Sequence, residues 1–132
     1  MDVIAYHPVK RKRLGITVKS RTRTSGTETG SVYLFRKRKD DRQKLLNACE
    51  AFSCEPWVGV YVECDTCADL FLTSLANYDC KYRPEGAHAV DGWRMTQKCI
   101  LEYASDSEVK HIRLDFKAKN WWKPAAKAAV AK

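Results

Sequence analysis

Asp2-Val3-Ile4-Ala5-Tyr6 and, after a basic interval, Leu14-Gly15-Ile16-Thr17-Val18-Lys19-Ser20-Arg21 decide how this chain is read. Both stretches are rich in strand formers. His7-Pro8 separates them, because proline has no backbone donor and restricts the residue before it. In the second stretch a period of two sends Ile16 and Val18 to one face and Thr17 and Lys19 to the other. Lys10, Arg11, Lys12 and Arg13 fill the interval, so a basic hairpin is the simplest connection.

Outward from this pair, Ser20 to Gly30 turns to Ser, Thr, Arg and Gly, the composition of a loop, with Arg21 and Arg23 in it. Ser31 to Phe35 reads as a short strand. Residues 40–53 read as a helix, with Leu45, Leu46, Cys49 and Phe52 on one side and Asp40 and Asp41 suited to its first turn. Pro56 stops that helix, and Trp57-Val58-Gly59-Val60-Tyr61-Val62 is the clearest buried strand. Asp69 to Leu75 is a further strand. Tyr78 to Asp91 reads as a loop, Trp93 to Tyr103 as a helix with Met95, Cys99, Ile100 and Tyr103 inward, and Val109 to Phe116 as a last strand. Trp121-Trp122 suits the edge of the core, or base stacking beside Lys117, Lys119 and Lys123. The order predicts an α/β (α+β) domain over residues 1–122, one mixed sheet flanked by helices, followed by an Ala/Lys tail over 123–132.

A chain of 132 residues has room for one modest core, and 45% hydrophobic residues exclude a disordered chain. No apolar run is long enough to span a bilayer and no signal peptide is read, which predicts a cytoplasmic protein without a membrane partner. Lys and Arg outnumber Asp and Glu by 24 to 16, and the excess does not come from the tail alone. That balance favours an acidic partner, nucleic acid first, with Arg11, Lys12, Arg13, Arg21 and Arg23 as phosphate contacts.

The strand pair, the helix and the strand that follows together resemble the PD-(D/E)XK nuclease superfamily, the restriction-endonuclease-like fold. Its motif is an acid on one strand, acid-x-Lys on the next, then a helix and a strand. Here Asp2 takes the first place and Thr17-Val18-Lys19 the second, with residues 40–53 and Trp57 to Val62 completing the order. The resemblance implies DNA rather than RNA as partner, Mg²⁺-dependent phosphodiester hydrolysis, and a homodimer for cutting two strands. Asp2 would ligate Mg²⁺ and Lys19 would orient the attacking water. Thr17 stands where the family has a carboxylate; it can hold a metal-bound water but brings no charge. Some family members draw that carboxylate from the helix, where Glu50 is the candidate. With Thr17 in place, a non-catalytic nucleic-acid-binding module on the same fold is the alternative.

Two other matches to the tripeptide occur: Asp79-Cys80-Lys81, with Asp69 upstream, and Asp115-Phe116-Lys117. Cys64-Asp65-Thr66-Cys67 has zinc-knuckle spacing, with Cys49 and Cys54 as the other pair of a zinc-stabilised interaction domain. His7, His88 and His111 are isolated in sequence and are read as surface or loop residues.

Overall fold

The computed structural model describes residues 1–23, 30–36, 40–64, 66–86 and 90–116. The opening hairpin forms as read: β1 (Val3–His7) pairs antiparallel with β2 (Lys12–Thr22), in a register that sets Val3 opposite Ile16. Arg11 takes a left-handed φ of 51° in the turn between them. β3 (Val32–Tyr33) follows, then α1 (Asp41–Ala51), which crosses over so that β4 (Glu55–Glu63) returns parallel to β2. β5 (Cys67–Ser74) pairs antiparallel with β4, and β7 (Lys110–Asp115) antiparallel with β5. The resulting order β1-β2-β4-β5-β7 is a five-stranded mixed sheet.

Four expectations need correction. The sheet is not single, because β3 shrinks to two residues and pairs with β6 (Gly92–Trp93) in a separate ribbon. The expected loop from Tyr78 begins as helix instead: α2 (Leu75–Asn77) runs into a wide helical turn, Tyr78–Tyr82. Its start is capped by Ser74 Oγ, which accepts from the Asn77 N–H at 3.1 Å. The helix expected at Trp93 starts only at Gln97, as α3 (Gln97–Ser105), capped by Thr96. Trp93 lies in β6 because its ring is the centre of an aromatic cluster. It stacks on Tyr103 at 3.9 Å and meets Tyr82 edge-on at 5.5 Å, with only 1% of its surface exposed. Phe52, expected on the inward side of the helix, ends α1 and is 55% exposed.

The core gathers on one face of the sheet. Val58, Val60 and Val62 of β4 and Phe71 of β5 meet Leu45 and Cys49 of α1, Leu75 of α2 and Tyr103 of α3. All three helices therefore join the same face, while the alternation of β5 and β7 turns Leu70, Leu72, Ile112 and Leu114 to the other. Asp106 anchors the far side. It accepts from the Tyr82 hydroxyl at 2.6 Å, Lys81 Nζ at 3.0 Å, Asn77 Nδ2 at 3.1 Å and the Glu108 N–H at 2.9 Å. Among the described residues no helix is long and apolar enough to cross a membrane. Trp121, Trp122, Lys117 and the tail lie outside the described residues.

Candidate functional site

Strand pairing brings Asp2 to Thr17. The Asp2 N–H donates to the Ile16 carbonyl at 2.8 Å, which extends the β1–β2 ladder by one residue and turns the Asp2 side chain to the Thr17 face. Its Oδ2 accepts from the Val18 N–H at 2.7 Å and from the Thr17 hydroxyl at 3.0 Å. The carboxyl is held below its ordinary value first by the Val18 N–H. Burial works against this, and the Thr17 hydroxyl and, more weakly, the Lys19 ammonium add to it. Lys19 follows on the same face of β2, so Asp2, Thr17 and Lys19 do come together.

The helix acid beside them is Asp41, not Glu50. α1 lies across β2 with its first turn at Lys19, whose charge helps to lower the Asp41 carboxyl, and its last turn at Gly15, whose carbonyl lies 3.7 Å from Cys49 Sγ. Asp41 is lowered first by its bond from Arg36 Nε at 3.1 Å. Glu50 is an exposed residue of the last turn, about 13 Å along the helix from Asp41 at 1.5 Å per residue. From the sequence Asp41 reads only as a partner of the helix dipole. Where a crossover helix docks depends on side chains distant in sequence, so no local signal points to Asp41.

The basic residues divide into two groups. Arg11, Lys12 and Arg13 sit at the β1–β2 turn, where Lys12 is paired with Glu55 at 3.3 Å. Arg21 lies at the other end of β2, about 26 Å from Arg13 at 3.3 Å per residue, and Arg23 lies just beyond that strand. Arg21 Nη1 donates to the Ser31 carbonyl at 2.8 Å, tying β2 to the segment that enters β3, and the Arg23 N–H bonds the Glu63 carbonyl at 2.7 Å. Lys19 shares this end. Among the described residues its ammonium has no hydrogen-bond partner.

The rival motifs do not assemble. Asp69 on β5 bonds His111 at 2.8 Å and lies 3.8 Å from Arg113, Asp79 bonds Arg42, and Lys81 bonds Asp106. Asp115 pairs with Arg113 at 3.3 Å, and its Lys117 lies outside the described residues. His111 is a surface residue of β7, as read, and its ring also stacks on Phe71 at 4.4 Å. His88 lies outside the described residues. The four cysteines suggested for zinc sit at opposite ends of β4: Cys54 precedes its first residue and Cys64 follows its last. Among the described residues no group of three or more His, Cys, Asp or Glu side chains is placed to share a metal ion.

Mg²⁺ takes near-octahedral oxygen ligands and is usually held by one or two carboxylates together with substrate phosphates. The donor set here fits it poorly. One oxygen of Asp2 is committed to Thr17 and Val18, Thr17 adds no charge, and Asp41 is committed to Arg36. Asp41 also lines a cleft of about 600 Å³ with Phe35, Arg42, Asp79 and Asp91, whose charges are largely paired with one another. No family model, curated protein or solved structure matches this chain.

Proposed function

We propose that the Lys19 end of β2 binds the phosphodiester backbone of nucleic acid, DNA in preference to RNA, on a restriction-endonuclease-like strand pair that lacks metal-dependent cleavage. The observation that carries this reading is the Asp2–Thr17–Lys19 constellation, in which the lysine has no hydrogen-bond partner among the described residues while the only acid on the strand pair is satisfied internally. A carboxylate that accepts from a backbone N–H and a hydroxyl keeps its charge without a metal. The lysine beside it is only partly buried and remains available to a phosphate as a fixed cation. The net charge of +8 supports an anionic partner. The Arg11–Arg13 turn, at the other end of β2, is spaced to reach a second phosphate region of the same duplex.

Fluorescence anisotropy with labelled duplex DNA at graded salt tests the reading. Binding should weaken linearly in log–log form, with a slope near −0.9 for each phosphate neutralised, and Lys19→Ala should flatten that slope by about one contact. Binding without salt dependence would overturn it. Cleavage of duplex, single-stranded or branched DNA in Mg²⁺ or Mn²⁺, abolished by Asp2→Asn, would replace binding alone with a nuclease.

A further inference from the structure

Cys64 and Cys67 close the hairpin between β4 and β5. They follow the pair Glu63–Ala68 in register, and the Cys64 N–H donates to the Cys67 carbonyl at 2.8 Å. Directly opposed residues of an antiparallel pair have Cα atoms about 4.5–5.5 Å apart. A disulfide spans about 4.4–6.8 Å between Cα atoms, so these two positions can be bridged without moving the strands. The sulfurs themselves approach to 2.6 Å. Cys67 is buried at 6% exposure, Cys64 is partly exposed, and Arg113 of β7 directs Nη2 to Cys67 Sγ at 3.3 Å.

We propose that Cys64 and Cys67 form a reversible dithiol–disulfide site, with Cys64 as the attacking thiol and Cys67 as the resolving one. The co-reactant is a small-molecule disulfide. The Cys64 thiolate attacks one sulfur of the reagent, the reagent's S–S bond breaks, and one small thiolate departs with the bonding pair. Cys67 then gives up its proton to solvent and attacks Cys64 Sγ in the mixed disulfide, expelling the second small thiolate. Two protein S–H bonds become one S–S bond, two electrons pass to the reagent, and its two thiolates take up the two protons released.

The division of roles follows from the surroundings. Cys64 is the more accessible sulfur. Cys67 holds its proton because it is pushed up first by its hydrogen bond with Cys64 and then by burial, while Arg113 pulls in the opposite direction and stabilises the thiolate when it forms. Other cysteines are not so arranged: Cys49 is 2% exposed and turned to the Gly15 carbonyl, and Cys54 Sγ is turned to the Phe52 carbonyl at 3.5 Å. Two thiolates also supply only half of a tetrahedral zinc site, and no third ligand group joins them among the described residues.

The test uses the full-length protein, reduced and then exposed to oxidised glutathione, with alkylation of the remaining thiols, intact mass and peptide mapping. The expected product carries a Cys64–Cys67 bond, loses two alkylatable thiols, keeps the other four of its six cysteines modifiable after denaturation, and returns to the starting state with dithiothreitol. Cys67→Ser should stop at a glutathione adduct on Cys64. Cys64→Ser should lose thiols about tenfold more slowly, and Arg113→Gln should slow the resolving step several-fold. A bond between any other cysteines would overturn the proposal. So would full thiol retention under conditions that oxidise the denatured chain, or absence of the Cys64 adduct in Cys67→Ser. Stoichiometric zinc that must be chelated before oxidation proceeds would also overturn it.

Discussion

Thr17→Glu introduces the carboxylate that a nuclease-like strand pair would require, and its effect can be worked from the geometry. The Thr17 hydroxyl is 3.0 Å from Asp2 Oδ2, and the residue is 6% exposed. A carboxylate at this place brings two anionic groups to about 4 Å, a repulsion of roughly 1 kcal/mol at the dielectric of water and 4 kcal/mol at that of a partly buried site. Losing the hydroxyl bond to Asp2 adds about 1 kcal/mol. The variant should therefore unfold with about 2–5 kcal/mol less stability in chelator. A divalent cation placed between the two carboxylates removes the repulsion, and at roughly ten times its dissociation constant adds about 1.4 kcal/mol through mass action. Urea unfolding followed by tryptophan fluorescence, in EDTA and in Mg²⁺ or Mn²⁺, measures both quantities. The wild type should show no metal-dependent shift, and Asp2→Asn in the Thr17→Glu background should abolish the recovery. A Thr17→Glu protein equally stable with and without metal would refute the view that Asp2 and residue 17 face a common ligand position.

Asp2 should titrate below its ordinary value of 3.8 in a carbonyl-detected NMR experiment, and Thr17→Val should move it part of the way back. Because the folded value is the lower one, its contribution to stability is complete above 3.8 and is lost as the pH falls through the folded value. Burial pushes the Asp106 carboxyl up, but the Tyr82 hydroxyl, Glu108 N–H, Asn77 amide and Lys81 ammonium together hold it well below the usual carboxylate range. Asp106→Ala should cost about 2–4 kcal/mol in urea unfolding, with non-additive coupling to Tyr82→Phe. A loss under 1 kcal/mol would show that water replaces these bonds at little cost. Gly15→Ala should lower the unfolding midpoint by the equivalent of about 1–3 kcal/mol, since its Cβ would stand 2.5 Å from Cys49 Sγ and 2.6 Å from Met1 Sδ. Cys49→Ala in the same chain should relieve part of that loss.

The five strands of the main sheet were legible because each runs over at least five residues with several apolar ones among them, and β4 also shows an unbroken apolar run. Of the β3–β6 ribbon only β3 was legible, inside Ser31 to Phe35; its partner β6 was not, because a two-residue strand carries no period. The helix at Leu75–Tyr82 was hidden by Pro84 and Gly86, which mark where it ends rather than whether it exists. Trp93 misled for a different reason: it precedes a helical pattern, but its place is fixed by the rings of Phe71, Tyr82 and Tyr103. At the candidate site the meeting of Asp2 with Thr17 and Lys19 followed from hairpin pairing alone. The substitution of Asp41 for Glu50 required the docking of α1 against β2, which no spacing encodes.

The parallel pairing of β2 with β4 has a consequence for the order in which the domain assembles. Asp2 and Thr17 are separated by 15 positions and meet through a hairpin, a short closure that can form early. Leu14 opposite Glu55 requires closing a segment of 41 positions with α1 already seated, and Phe71 opposite His111 closes another of 40. Such non-local pairings pay their loop entropy before any contact rewards them, so they set the folding rate. The carboxylate–hydroxyl bond that defines the strand pair is thus available before the helix that brings Asp41 to Lys19. Substitutions at the Asp2–Thr17 contact should act on folding and unfolding rates differently from substitutions in α1, and phi values would separate the two halves of the site in time.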